Sequence, residues 1–178
     1  MKKIPVVFLA IMMIAAIASA QHGGGPAGEH GPGGPGDFGA PGADASVGSD
    51  GSIYLTKVTE TSTDVYTTTI TAVRPSGTVG WTATVNARAH VTVSDGNVIA
   101  ESSVRNSDGT ITTTLNAFSA STGAAAWTVT LNGRAQLIPF SGGTYAIVVV
   151  PPATSGGSAT RSLIAISNSG STLFTLAL

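Results

Sequence analysis

Few residues of this sequence could do chemistry, and their spacing decides most of what they can do. Three Ser-Asp-Gly triplets, Ser49-Asp50-Gly51, Ser94-Asp95-Gly96 and Ser107-Asp108-Gly109, each put one carboxylate beside a glycine. A calcium loop gathers several carboxylates at alternate positions and closes with a glutamate. A lone Asp-Gly is instead a hairpin signal, because a tight primed turn needs positive φ and glycine adopts it without steric cost. Turn chemistry therefore accounts for the triplets. His22 and His30, with Glu29 and Asp37 nearby, could hold a metal ion loosely, but they sit in a Gly/Pro tract that reads as a solvated tail. His90 has no Ser-Asp or Cys partner in a repeated context and reads as a structural or surface histidine. No lysine stands where a phosphate loop needs one. The expectation is no catalytic residue, no metal ligand and no cofactor.

Two further sets recur along the chain. Asn86-Ala87-Arg88-Ala89 and Asn132-Gly133-Arg134-Ala135 are equivalent, with their arginines 46 residues apart. Placed in connections between repeats, Arg88 and Arg134 would emerge on one face, where loops usually bind, and two guanidinium groups can grip a partner's carboxylates. A solvated or bridging role for the pair stands beside that reading. Trp81 and Trp127 offer stacking faces for a sugar or peptide, but their place in the repeat favours packing between structural units.

The elements that must position these residues are strands. From about Ala45 onward, short runs rich in β-branched residues are separated by Gly, Asn and Asp turns, with no sustained helical period. Three landmarks recur in the same order. A turn precedes a strand at Asp50-Gly51, Asp95-Gly96 and Gly142-Gly143, with Gly51, Gly96 and Gly143 lying 45 and 47 residues apart. An apolar-x-Ala core follows at Ile70-Thr71-Ala72, Leu115-Asn116-Ala117 and Leu163-Ile164-Ala165. Then a glycine leads, four residues on, to an aromatic: Gly77 to Trp81, Gly123 to Trp127, and Gly170 to Phe174. Beyond each aromatic the alternation is clean: Trp81, Ala83 and Val85 share a face, as do Trp127, Val129 and Leu131, and Phe174, Leu176 and Leu178. Each repeat reads as four short antiparallel strands. A four-stranded meander with a period near 45 residues suits one propeller blade.

The stretch Ala117-Phe118-Ser119-Ala120-Ser121-Thr122-Gly123-Ala124-Ala125-Ala126-Trp127 resembles the tryptophan-docking motif of quinoprotein-type (PQQ-like) β-propellers, Ala-x-Asp-x-x-Thr-Gly-Lys-x-x-Trp. Ala117, Thr122, Gly123 and Trp127 match; Ser119 replaces the Asp and Ala124 the Lys. Ala72 to Trp81 resembles a shorter variant, and Ala165 to Phe174 a more degenerate one. The resemblance implies an all-β fold of four-stranded blades in which Gly77, Trp81, Gly123, Trp127, Gly170 and Phe174 dock one blade on the next. It covers three blades, about 46–89, 90–135 and 136–178, where closed propellers have 4–8. A partial or oligomer-completed propeller is therefore expected. Catalytic members of that family carry a quinone, a calcium ion with Glu, Asn and Asp ligands, and a catalytic Asp. Here the first two repeats hold three acidic residues each and no cysteine occurs, so a quinone-dependent dehydrogenase fragment is only a distant alternative.

Residues 1–20 read as a signal peptide: Lys2 and Lys3, the apolar run Val6 to Ile17, then Ala18-Ser19-Ala20 for cleavage, with an uncleaved anchor as the alternative. The Gly/Pro-rich stretch 21–45 reads as a disordered linker, too poor in apolar residues to offset its ordering entropy. Without the leader, six basic residues face nine acidic ones, which excludes the basic patch of a nucleic-acid binder. The absence of cysteine excludes disulfides and thiolate chemistry. The expected function is an exported, periplasmic or extracellular scaffold or binding module that meets a protein or surface polymer. A self-associating structural β-protein is the alternative, since weakly charged strands favour edge-to-edge association.

Overall fold

The structure is a computed structural model that describes residues 44–152 and 156–178. The expected leader and all of the expected linker except Asp44 and Ala45 lie outside the described residues.

Twelve strands follow one another among the described residues: β1 (Asp44–Val47), β2 (Ile53–Ser62), β3 (Val65–Val73), β4 (Val79–Val85), β5 (His90–Ser94), β6 (Asn97–Arg105), β7 (Ile111–Ser119), β8 (Ala125–Asn132), β9 (Arg134–Phe140), β10 (Gly143–Val150), β11 (Thr160–Ser167) and β12 (Thr172–Ala177). They pair into three four-stranded sheets, β1 to β4, β5 to β8 and β9 to β12, each an antiparallel meander of consecutive strands. The chain can do this because hairpins need only a few turn residues, whereas parallel pairing would need long crossovers. β1 opens at Asp44 and β9 at Arg134, so the first and third sheets each begin two residues before the expected repeat boundaries.

The three sheets share one register. Ala72 lies opposite Trp81, Ala117 opposite Trp127, and Ala165 opposite Phe174. Directly after each alanine the register shifts, so a bulge re-aims the strand beside every aromatic. Four hairpins close on one hydrogen-bond pattern, with Gly51, Gly77, Gly109 and Gly170 as the last loop residue at φ between 79° and 85°. In the first of these, Gly48 N–H donates to the Ser52 carbonyl at 2.8 Å and Gly51 N–H to the Gly48 carbonyl at 3.0 Å. This is the three-residue loop of a type I turn plus a left-handed glycine.

The turn expectations need correcting at two places. Asp50-Gly51 sits in such a three-residue loop, because Ser52 bonds back to Gly48 and to the Asp50 carboxylate. Only Asp95-Gly96 has positive φ at both residues, 33° and 84°, as a primed turn requires. In the third sheet the turn is Ser141-Gly142, and Gly143 already belongs to β10.

Packing is between sheets. Tyr54, Ile70, Ala72 and Val85 of the first sheet bury against Val91, Val98 and Ala100 of the second. Ile99, Leu115, Ala117 and Leu131 of the second bury against Ala146, Val148 and Ile166 of the third. Successive β6 residues thus serve opposite interfaces, which is why Val98-Ile99-Ala100 is buried without a break. The first strands β1, β5 and β9 neighbour one another in turn. Face-to-face sheets with converging first strands are the blade arrangement of a β-propeller.

Candidate functional site

The recurring aromatics act across sheets. Trp81, on β4, donates its indole N–H to the Ala120 carbonyl at 2.8 Å, in the turn between β7 and β8. Its ring lies on Gly123, where an added Cβ would come within 2.6 Å of it. One repeat further, Trp127 donates to the Asn168 carbonyl at 2.8 Å and lies on Gly170, where a Cβ would come within 2.8 Å. Glycine is required twice over at Gly123 and Gly170, by the ring above and by φ of 73° and 81°. The outer members of the series differ. Phe174 is 48 % exposed, and a Cβ on Gly77 would meet nothing within 4 Å.

Polar groups staple the same boundaries. The Tyr54 hydroxyl donates to the Ala120 carbonyl at 3.3 Å. The Asp95 carboxylate accepts the Gly142 N–H at 2.8 Å and the Asn168 side-chain amide at 3.0 Å, and Asn97 donates to the Asn168 carbonyl at 3.0 Å. The Ser94 hydroxyl donates to the Gly143 carbonyl. Asp50 and Asp108 stay within their own turns. The backbone and hydroxyl of Ser52 hold the Asp50 carboxyl below its usual range, and the hydroxyl and backbone of Thr110 do the same for Asp108. So one triplet aspartate, Asp95, ties two sheets together; the sequence marked it only as a turn residue. Among the described residues no group of three or more His, Asp or Glu side chains is placed to hold a metal ion.

The arginine pair is placed by two buried threonines. Thr68 Oγ1 donates to the Ala87 carbonyl at 2.6 Å and accepts the Ala89 N–H at 2.9 Å, pinning the connection after β4 around Arg88. Thr113 Oγ1 donates to the Gly133 carbonyl at 2.6 Å, just before Arg134. The equivalence holds, but the expected connection does not: Gly133 alone links β8 to β9, and Arg134 is already in β9, opposite Val149. A φ of 123° lets one glycine make that reversal. Both arginines are exposed, and Arg88 lies over the Tyr66 ring at 5.8 Å from its centroid. His90 is exposed at the start of β5, opposite Glu101.

Glu101 is a residue that sequence reasoning missed, although a carboxylate following Val98-Ile99-Ala100 on a strand was a signal. It shares a side of its sheet with Ile99 and Leu115, the side turned to the third sheet. Burial pushes its carboxyl up from 4.5 to about 7. The folded chain therefore holds this proton more tightly than the unfolded chain, so the stabilisation is complete below about pH 4.5 and is lost as pH rises through about 7. Discounted for partial exposure, the loss should be about 1–2 kcal/mol. Glu101→Gln should flatten that decline in urea midpoints between about pH 5 and pH 8. A decline of the same size in the variant would assign it to other groups.

These contacts define the described part of the chain as three consecutive propeller blades, the first closed onto the second and the second onto the third by a tryptophan ring over a turn glycine. Among solved structures, a europium-containing methanol dehydrogenase aligns with it at a TM-score of 0.43 and 13% sequence identity. The alignment covers 71% of this chain and 23% of that one, so the chain spans under a quarter of that enzyme's length. No protein-family model matches the chain, and no curated protein matches it significantly.

Proposed function

We propose that this chain is an exported, non-catalytic binding module built from PQQ-like propeller blades, which presents its loops to a protein or surface polymer outside the cytoplasm. The observation that carries this reading is the commitment of both tryptophans to blade packing through Ala120, Gly123, Asn168 and Gly170. The aromatic and turn groups that could have lined a ligand site are used to make a rigid scaffold. The PQQ-like assignment draws support from the alanine opposite each aromatic and from the glycine beneath each tryptophan ring. Arg88 and Arg134 are the candidate grips for an anionic partner.

Among the described residues the carboxylates do not fit a quinone and its calcium ion. The carboxylates such a group would need are dispersed: Asp50 and Asp108 hold their own turns, and Asp95 holds Gly142 and Asn168. Two experiments test the proposal. The chain recovered from outside the cytoplasm should begin at Gln21, and it should bind an acidic surface polymer less well once Arg88 and Arg134 are both alanine. Retention inside the cell with an intact leader would overturn the export. Dye-linked alcohol oxidation after reconstitution with quinone and calcium would overturn the non-catalytic reading.

A further inference from the structure

The two end blades carry the two halves of one more blade contact. On the third sheet, Ile138, Tyr145, Ile147, Leu163, Phe174 and Leu176 share one side by register, the side turned away from the second sheet. Aromatic rings run across that side, Phe140 to Tyr145 at 4.4 Å and Tyr145 to Phe174 at 6.3 Å. On the first sheet, Val47, Ile53, Leu55, Val73 and Val79 share the side turned away from the second. The first surface is the counterpart of the one that presents Trp81 and Trp127. The second is the counterpart of those that receive them.

Exposed apolar surface is concentrated on these ends. Of the large exposed hydrophobic residues among those described, the second sheet, covered on both faces, contributes only Val104. The others lie in the first and third sheets or, for Leu178, just after β12, and include Val79 at 61 % and Leu176 at 53 % exposure. The Gly77 turn has the same loop as the Gly170 turn and no ring over it. Phe174 has the register of Trp127 and no glycine turn beneath it. One chain holds the presenting half and the receiving half, but at opposite ends of an arc of three blades.

We propose that the occupant of both faces is a second copy of this chain, set head to tail, with Phe174 of each copy on Gly77 of the partner subunit. Such heterologous contacts close into a ring only when the rotation fits. Closed propellers have 4–8 blades. Two copies of the described three-blade arc supply six; one supplies three and three supply nine, both outside that range. The proposal rests on the blade contacts alone and not on the export or binding role proposed above.

Sedimentation velocity on the whole chain, from about 1 to about 100 µM, tests it, because ordinary specific dimers form within or below that range. The expected mass is twice that of one chain, 17.6 kDa before any processing, with no larger species. Gly77→Asn should weaken the dimer at least about 100-fold while leaving the circular dichroism spectrum unchanged. Asparagine tolerates positive φ, and in the single chain the space above Gly77 is open. Phe174→Trp should tighten the dimer about tenfold, by adding the N–H that Trp81 and Trp127 use. A monomer at every concentration would overturn the proposal, as would a mass that keeps growing or a dimer indifferent to Gly77→Asn.

Discussion

Trp127→Ala is expected to lower stability by about 3 kcal/mol, the low end of the range for removing a large aromatic from a core, because the ring is only partly buried. Two losses combine. The ring's packing on Gly170 disappears, and the Asn168 carbonyl loses the indole N–H that it accepts at 2.8 Å. For a chain of this size that corresponds to a fall in melting temperature of roughly 6–12 °C. Phe174→Ala, measured at concentrations where the chain is monomeric, should change stability by less than about 1 kcal/mol, since that ring is half exposed and lies on no turn glycine among the described residues. Equal losses at Trp127 and Phe174 would mean that aromatic packing within a sheet, and not contact with the next blade, sets the cost.

Gly133→Val should be at least as damaging, for a backbone reason. Gly133 is the whole connection between the second and third blades, at φ 123°. A Cβ there would lie 2.7 Å from the Val149 carbonyl oxygen and 2.9 Å from a Val148 methyl group. Backbone strain of about 1–3 kcal/mol and overpacking of about 1–3 kcal/mol add to roughly 4 kcal/mol. Gly109→Ala is the matched comparison: its φ of 85° is also left-handed, but a Cβ would meet nothing within 4 Å. It should cost only about 1–2 kcal/mol. Both are read from denaturation midpoints at unchanged slope. A Gly133→Val chain within about 1 kcal/mol of the parent would show that the connection can be remade.

The three-fold repeat was legible because its signals are local. Glycine at a left-handed turn position and an aromatic four residues later are fixed by backbone geometry, and alternation after Trp81 and Trp127 follows from the pleat. The same alternation after Phe174 was equally legible, but its exposure was not, because exposure depends on what packs against that face of the sheet. The role of Asp95 was hidden for a related reason: the same triplet at Asp50 and Asp108 serves its own loop, and only the neighbouring Gly142 and Asn168 give Asp95 a second partner. Turn geometry differs from the expectation at Asp50-Gly51 and Gly142-Gly143, since hydrogen bonding between Gly48 and Ser52 makes the first a three-residue loop and strand pairing from Gly143 moves the second back by a residue. Arg134 was placed in a loop because sequence spacing does not reveal that one glycine can join two blades.

Hydrogen exchange of the indole N–H groups tests the blade contacts most directly, because the chain holds two tryptophans and each gives one resolvable signal. With Trp81 bonded to Ala120 and Trp127 to Asn168, both indole protons should exchange only through opening of a blade boundary. The expected result is two signals, each slowed at least about 100-fold relative to free indole, an opening free energy of about 3 kcal/mol. Exchange of either proton at the free-indole rate would contradict the closure of one blade onto the next.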